Sequence, residues 1–257
     1  MKRRRTARSR VVVTAGVAVL LASTVLVNGA WAQTKVADHL RARPKAVSDT
    51  ALPGLSALGI SVTRDAYLYI PQRYSPGHPA PLLVLLHGAT QSAEMWTGSA
   101  ELFAMADTMG LVLLMPNSKD RTWDLMIGGF GPDVPLLDSA LTVVFHRCNI
   151  DRKHVALGGF SDGASYALSL GVGNGDLFGF LIAFSPGFFA PAGAVGVPRV
   201  FIAHGTSDQI LPIATTSRRI VPMLKEAGYN VTYHEFEGPH TVKADQMRAA
   251  LAWFVGK

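Results

Sequence analysis

Residues 155–168 constrain the fold more than any other stretch of the chain. An apolar run, Val155 to Leu157, is typical of a buried strand, and a Gly-x-Ser-x-Gly pentapeptide at 159–163 follows it directly. The two glycines remove side chains where a strand and the next helix approach closely, so the pattern predicts a sharp, strained turn. Ser161 would stand at its tip with the hydroxyl exposed, and the N–H groups of the following helix would point to the same place. The stretch therefore predicts a nucleophilic serine.

Around this turn, apolar strand-like runs alternate with helical segments. Strands are predicted at 62–70, 82–86, 111–115, 155–157, 178–184, 200–203 and 231–236, and helices at 100–109, 134–148, 216–227 and 242–254. Such alternation predicts an α/β fold with a mostly parallel central sheet and helices on both faces. Residues 185–199 are too few for a separate cap domain, so an open site is expected. We predict one catalytic domain, 61–257, after a lead-in segment, 33–60.

The first 32 residues have the pattern of a secretory signal peptide. Six basic side chains precede residue 11, an apolar stretch covers 11–27, and Ala30-Trp31-Ala32 supplies a small-residue cleavage site. Cleavage between Ala32 and Gln33 would give a secreted or periplasmic protein without a stable membrane anchor. The alternative is a retained anchor, but the apolar run approaches spanning length only if 28–32 are included.

The net positive charge of the chain comes from this N-terminal segment. The whole chain has 24 basic and 18 acidic residues, and removing the six basic side chains near the start leaves 18 of each. A basic surface for nucleic acid is therefore not expected in the remaining chain. Cys148 is the only cysteine, so no intrachain disulfide can form, and its place in a predicted helix indicates a small buried apolar residue.

A serine hydroxyl becomes a good nucleophile when a base takes its proton and an acid orients that base. After a strand-turn-helix serine, the acid and then the base are expected at the ends of later strands. Asp208 follows the strand at 200–203, and His240 follows the strand at 231–236, in that order. They are the predicted catalytic acid and base beside Ser161. The rival acids Asp124 and Asp176 follow no suitable strand, and His87 and His204, before glycines at strand ends, are interpreted as structural turn residues.

Acyl transfer also needs N–H donors for the oxyanion of the tetrahedral intermediate. The turn would supply the N–H of Asp162, and the loop after the strand at 82–86 would supply that of Ala89, because its small residues leave the backbone accessible. A carboxylate near the oxyanion would repel it, so the Asp162 side chain is expected instead to complement the helix dipole. Trp123, Phe188 and Phe189 are candidates for a substrate pocket, and each could equally be a packing aromatic.

With these pieces in place, the chain resembles α/β-hydrolases of the phospholipase/carboxylesterase and polyhydroxybutyrate-depolymerase-like esterase groups. The matching motifs run from about residue 60 to the C-terminus: 86–92, 122–124, 159–163, 204–208 and Pro239-His240. The resemblance implies the α/β-hydrolase fold and a serine esterase without metal or organic cofactor, acting on a small-molecule or lipid-like ester. Two departures stand out. The loop His87-Gly88-Ala89-Thr90 lacks the run of glycines of some esterases, and no polymer-binding module is recognisable.

Three functions are consistent with this pattern. The first is a secreted serine carboxylic-ester hydrolase that works through an acyl-enzyme. The second is a lysophospholipase, feruloyl esterase, polyester depolymerase or peptidase-like hydrolase on the same triad. The third is a non-catalytic binding protein on a hydrolase fold, against which the intact Ser161, Asp208 and His240 argue.

Overall fold

A computed structural model describes residues 38–47 and 51–256, and an eight-stranded sheet lies at the centre of this part of the chain. Its strands are β1 (Gly54–Ala57), β2 (Tyr67–Ile70), β3 (Ala80–Leu86), β4 (Val112–Met115), β5 (Ile150–Phe160), β6 (Phe180–Phe184), β7 (Arg199–Gly205) and β8 (Val231–Phe236). They are ordered β1-β2-β4-β3-β5-β6-β7-β8. The strands from β4 to β8 in this order pair in parallel, whereas β1 with β2 and β2 with β4 pair antiparallel. The predicted mostly parallel sheet is confirmed.

Helices cover both faces of the sheet, as predicted. They are α1 (Glu94–Thr97), α2 (Ala100–Met109), α3 (Asp133–Arg147), α4 (Asp162–Val172), α5 (Ser217–Glu226) and α6 (Ala244–Val255), with one 3₁₀ turn at Asp124–Met126. Alternate residues of β3 enter two different apolar clusters, because successive side chains of a strand point to opposite faces. Leu82, Val84 and Leu86 pack with α3, α4 and α5, whereas Leu83 and Leu85 pack with α2 and α6. Continuous apolar runs such as 82–86 are buried on both faces for this reason.

The segment assigned to a lead-in contributes to the fold. β1 lies within it and pairs antiparallel with β2, with Leu55 opposite Tyr69. Further upstream, the N–H of Leu40 donates to Asn174 Oδ1 at 2.8 Å and that of Ala42 donates to Asp138 Oδ1 at 2.8 Å. The pattern of β1 is not apolar because it is a largely exposed edge strand. The predicted signal peptide, 1–32, lies outside the described residues.

Asp133 is the first residue of α3 and does not cap it. Pro132 occupies the N-cap position, and the Asp133 carboxylate accepts the N–H of Lys119 at 2.6 Å and of Asp124 at 2.8 Å. Its carboxylate therefore holds the long loop before α3 to the start of that helix. Cys148 is buried, as predicted, and burial raises the pKa of its thiol to about 12, which leaves it unreactive.

In residues 38–47 and 51–256, no large cap domain covers the C-terminal edge of the sheet. Residues 185–198, between β6 and β7, contain neither helix nor strand. The loops that follow β3, β5, β7 and β8 all open at this edge, where parallel strands end together. In the part of the chain that the structure describes, none of the helices combines the length and the apolar character needed to span a bilayer.

Candidate active site

Ser161 stands at the turn between β5 and α4 in a strained conformation. Its φ is +57° and its ψ is −115°, outside the regions that L-residues normally occupy. The two flanking glycines make this turn possible. A Cβ on Gly159 would lie 2.6 Å from the Gly163 backbone, and one on Gly163 would lie 2.4 Å from the carbonyl oxygen of His87. A hydrogen bond from the Ser161 N–H to the Phe184 carbonyl, 2.9 Å, ties the turn to the neighbouring strand.

The structure brings Ser161, His240 and Asp208 together from three separate loops. His240 Nε2 lies 2.9 Å from Ser161 Oγ, and His240 Nδ1 lies 2.5 Å from Asp208 Oδ2. The Asp208 side chain is inaccessible to solvent, whereas that of His240 is 13% exposed. A hydroxyl, a base within hydrogen-bond reach of it and an acid that orients the base form the geometry of nucleophilic catalysis.

The surroundings of Asp208 keep it ionised. Burial by itself would raise the pKa of this carboxyl, but the hydrogen bonds from the Leu211 N–H and from His240 outweigh burial and hold its pKa below the usual value. Asp208 Oδ1 accepts the N–H groups of Ile210 at 2.9 Å and Leu211 at 2.8 Å. The charged form is thus fixed in one orientation, with Oδ2 directed to the imidazole.

His204, interpreted from the sequence as a turn residue, contacts the same carboxylate. Its Nε2 lies 3.1 Å from Asp208 Oδ2 and 2.9 Å from the Leu211 carbonyl, and its Nδ1 lies 2.6 Å from Ser217 Oγ. Because a carbonyl can only accept, the proton is on Nε2, and Nδ1 accepts from the serine. Burial lowers the pKa of His204, so it is a neutral second donor to Asp208. The spacing His-Gly-x-x-Asp at the end of β7 was the only sequence sign of this contact.

The two predicted oxyanion donors lie beside the serine. Asp162 is the first residue of α4, and within the described residues neither its N–H nor that of Ala89 has a protein acceptor. A Cβ on Gly88 would be 3.4 Å from Ser161 Cβ, so the loop after β3 passes directly next to the nucleophile. This loop is held by Thr90, whose φ is +62° and whose N–H donates to the Arg121 carbonyl at 2.6 Å. The donor role of these N–H groups stays a prediction.

The carboxylate of Asp162 is bound to a neighbouring loop. It is buried, and its Oδ2 accepts a hydrogen bond from Thr122 Oγ1 and another from the Trp123 N–H at 3.0 Å. Burial raises the pKa of this carboxyl, and the two hydrogen bonds act in the opposite direction. Its place in the first turn of α4 also suits the helix dipole. The side chain thus connects the serine turn to residues 121–123.

The aromatic pocket candidates have a different outcome. Trp123 is 0% exposed, its ring packs between those of His87 and Tyr166, and its Nε1 donates to the His87 carbonyl at 2.9 Å. It is an interior packing residue, which corrects the expectation of a pocket wall. Phe188 and Phe189 are half-buried beside α4, and the Phe188 N–H donates to Ser165 Oγ at 3.3 Å. Neither lines the cavities that adjoin His240.

His240 lines two cavities, and the sequence did not reveal them. The first has a volume of about 330 Å³, and its buried apolar lining includes Trp96, Leu102, Met105, Phe160 and Met247. The second has a volume of about 870 Å³ and is lined by Ser207, Gln209, Ile210, Glu237, Gly238, Pro239, His240 and Lys243. In the described part of the chain, no group of three or more His, Cys, Asp or Glu side chains is arranged to hold a metal ion.

Comparisons with known proteins agree with this architecture. The phospholipase/carboxylesterase family model matches residues 135–255. A fluorophosphonate-binding serine hydrolase F of Staphylococcus aureus, solved with substrate bound, superimposes with a TM-score of 0.65 at 14% identity, covering 80% of this chain and all of that one. A Bacillus cereus carboxylesterase superimposes with a TM-score of 0.57 at 21% identity, covering 76% of this chain and 94% of that one. A ferulic acid esterase of Anaeromyces mucronatus, in complex with ferulic acid, superimposes with a TM-score of 0.58 at 17% identity, covering 84% of this chain and 93% of that one.

The sheet order, the serine between a strand and a helix, and the structural neighbours define the α/β-hydrolase fold, with no large cap in the described part of the chain. Within that fold, residues 135–255 match the phospholipase/carboxylesterase model, and the structural neighbours include esterases.

Proposed function

We propose that this protein is a secreted serine carboxylic-ester hydrolase in which Ser161, His240 and Asp208 form the catalytic triad. The observation that supports this most directly is the unbroken chain of hydrogen bonds from Ser161 Oγ through the His240 ring to the buried Asp208 carboxylate. The esterase group to which the fold and family match point uses the same kind of chemistry.

In the first half of the reaction, His240 Nε2 takes the proton from Ser161 Oγ as that oxygen attacks the ester carbonyl carbon. The carbonyl oxygen becomes an oxyanion, which the N–H groups of Ala89 and Asp162 stabilise. The intermediate collapses, the bond to the alcohol oxygen breaks, and His240 gives its proton to that oxygen. Asp208 stays ionised throughout and stabilises the imidazolium. The products of this half are a free alcohol and an acyl group on Ser161.

In the second half, water replaces the alcohol. His240 takes a proton from the water as its oxygen attacks the acyl carbon, and the same N–H pair receives the oxyanion. Collapse breaks the bond to Ser161 Oγ, which recovers its proton from His240, and the carboxylic acid leaves. These steps need no group beyond the residues described and water, in keeping with the proposal of a cofactor-independent hydrolase.

The test is hydrolysis of a short-chain p-nitrophenyl ester by residues 33–257, together with labelling by a fluorophosphonate probe. Ser161→Ala should lower kcat by at least about 10⁴-fold, because removing the nucleophile leaves only binding and the oxyanion donors. It should also abolish labelling. Ser139→Ala, an exposed serine on α3, is the matched control and should keep both. Ester turnover that survives Ser161→Ala would overturn the assignment.

The alternatives share the triad and differ in substrate. A panel of lysophospholipid, feruloyl, polyester and amide substrates separates them, and turnover of amides without esters would replace the first choice. A folded wild-type protein that the fluorophosphonate probe does not label would instead support a non-catalytic binding protein. We propose secretion on the basis of the sequence pattern at 1–32. Sequencing the N-terminus of protein exported by its host should find Gln33 first.

A further inference from the structure

The smaller cavity beside His240 has a distinctive lining, and we call it the methionine pocket: Met95, Trp96, Leu102, Met105, Phe160 and Met247. We propose that it binds the leaving alcohol of the ester, and that this alcohol carries a short unbranched alkyl chain or a single flat ring. The proposal rests on the function proposed above and names the part of the substrate that this region selects.

The position of the pocket points to the leaving group. His240 lines it, and so do Thr241 and Val242 directly after it. Phe160, the residue before Ser161, forms another part of the wall, and its ring centroid lies 4.6 Å from that of His240. In the proposed reaction the leaving oxygen must approach His240 Nε2 to receive its proton. The group attached to that oxygen therefore begins at the imidazole, which forms part of the pocket lining.

The predicted oxyanion donors, Ala89 and Asp162, do not line this pocket, and neither do Phe188 and Phe189 after β6. The pocket instead lies between the N-terminal parts of α1 and α2 on one side and of α6 on the other. The acyl chain must leave the carbonyl carbon in a different direction from the alcohol, since both are bonded to that carbon.

The chemistry of the lining sets the class of alcohol. Methionine side chains are unbranched and polarisable, so they adapt to linear or flat apolar groups and make favourable contacts with aromatic rings. The buried lining side chains are apolar, whereas the half-buried and exposed ones include Gln91, Ser99, Glu101, Thr241 and Lys243. The volume of about 330 Å³ is at the lower end of the range of roughly 300–1,000 Å³ for ligand sites. A small apolar substituent therefore fits the buried part of the pocket.

Two ester series test the proposal. One holds acetate constant and lengthens a linear alcohol from ethanol to octanol. The other holds ethanol constant and lengthens the acid over the same range. We expect kcat/KM in the alcohol series to rise about fourfold for each methylene group until the pocket is full, as burial of one methylene predicts. The acid series should not follow this slope. The opposite result, with the slope in the acid series alone, would assign the pocket to the acyl group and overturn the proposal.

A second experiment fills the pocket with a larger side chain. Met95→Trp enlarges a half-buried residue of the lining, and it should lower kcat/KM for octyl acetate more than tenfold relative to ethyl acetate. Met223→Trp changes an exposed methionine of α5 and should leave this ratio as in wild type. Val242→Phe narrows the pocket from the α6 side and repeats the test if Met95→Trp does not fold. Equal losses for both esters in a folded variant would contradict the proposal.

A binding experiment separates this proposal from the proposed function, because it needs no turnover. In Ser161→Ala protein with ¹³C-labelled methionine methyl groups, 1-hexanol should shift the resonances of Met95, Met105 and Met247 and leave that of Met223 in place. If wild type hydrolyses no ester but these shifts appear, the proposed function and the leaving-group role fail, and only the binding of an alcohol in the pocket stands. If esters are hydrolysed but hexanol shifts none of the three, the alcohol site fails alone.

Discussion

At the scale of single residues, the most informative side chain is one that takes no direct part in the proposed reaction. The carboxylate of Asp162 accepts hydrogen bonds from Thr122 and from the Trp123 N–H. One residue earlier, the Arg121 carbonyl accepts the N–H of Thr90, beside Ala89. A continuous path of hydrogen bonds and backbone therefore runs from the serine turn to the loop that carries Ala89, so this carboxylate connects the two predicted oxyanion donors.

Weakening that path should lower the rate without weakening substrate binding. Thr122→Val removes the hydroxyl donor to Asp162, and we expect kcat to fall roughly 10- to 100-fold with KM within about twofold. A hydrogen bond to a charged group is worth about 1.5–3 kcal/mol, and a fully lost oxyanion donor costs about 2.7–4 kcal/mol. Steady-state kinetics measures this. Thr142→Val, on the exposed surface of α3, is the matched control. A rise in KM at constant kcat would show that the path positions substrate and not the donors.

The residue scale also shows what the sequence could not supply. Ser161, Asp208 and His240 were placed together in advance because each follows a recognisable apolar strand in the expected order. The contact of His204 with Asp208 depends on the path of the loop after β7, which the residue types do not encode. Trp123 illustrates the same limit, since an indole packs equally well on a surface or in an interior, and only the surrounding rings decide between them.

At the scale of elements, the central strands and the longer helices were predictable because their apolar patterns are continuous. Both ends of β3 and β8 lie within two residues of the predicted strands, whereas β2 covers only Tyr67–Ile70 of the strand predicted at 62–70. β1 was missed because an exposed edge strand needs no apolar run, and α1 because four residues carry no helical period. The methionine pocket combines 95–105, Phe160 and 240–247, and no local pattern connects such distant segments.

The serine turn provides a prediction at this scale. Gly163→Ala should destabilise the protein by more than about 3 kcal/mol, because the new Cβ would meet backbone atoms, the carbonyl oxygens of His87 and Leu86, at 2.4 and 2.6 Å. Backbone of a central strand cannot move aside without disturbing its pairs. Gly128→Ala, where the new Cβ would have open space, should change stability by less than about 0.5 kcal/mol. Urea unfolding measures both. If Gly163→Ala unfolded at the same urea concentration as wild type, the close approach of strand and helix would not be required.

At the scale of the whole molecule, buried titratable groups make the stability of the fold depend on pH. His87 is fully buried at the end of β3, where Nδ1 bonds the Gly88 carbonyl and Nε2 accepts the Ser118 N–H at 3.0 Å. Burial lowers its pKa from 6.5 to about 4, with the nearby charge of Arg64 acting in the same direction. The unfolded chain takes up a proton as the pH falls through 6.5, whereas the folded protein does not until about pH 4. The contribution of neutral His87 to the free energy of unfolding is therefore complete above pH 6.5 and is lost progressively down to pH 4.

His87→Gln isolates this contribution, because an amide can donate and accept in similar positions but does not titrate here. Between pH 7.5 and 4, wild type should lose roughly 3 kcal/mol more of its free energy of unfolding than the variant does. Burial also lowers the pKa of His204 and raises that of Asp133 to about 6, so these two groups make stability depend on pH in opposite directions. Both groups are present in wild type and in the variant, so their effects cancel when the two free energies of unfolding are subtracted. Urea unfolding at successive pH values measures it, and replacing the exposed His78 by Gln should reproduce the wild-type slope. Parallel curves for wild type and His87→Gln would mean that His87 is not held neutral by the fold, and that the acid sensitivity of the molecule arises elsewhere.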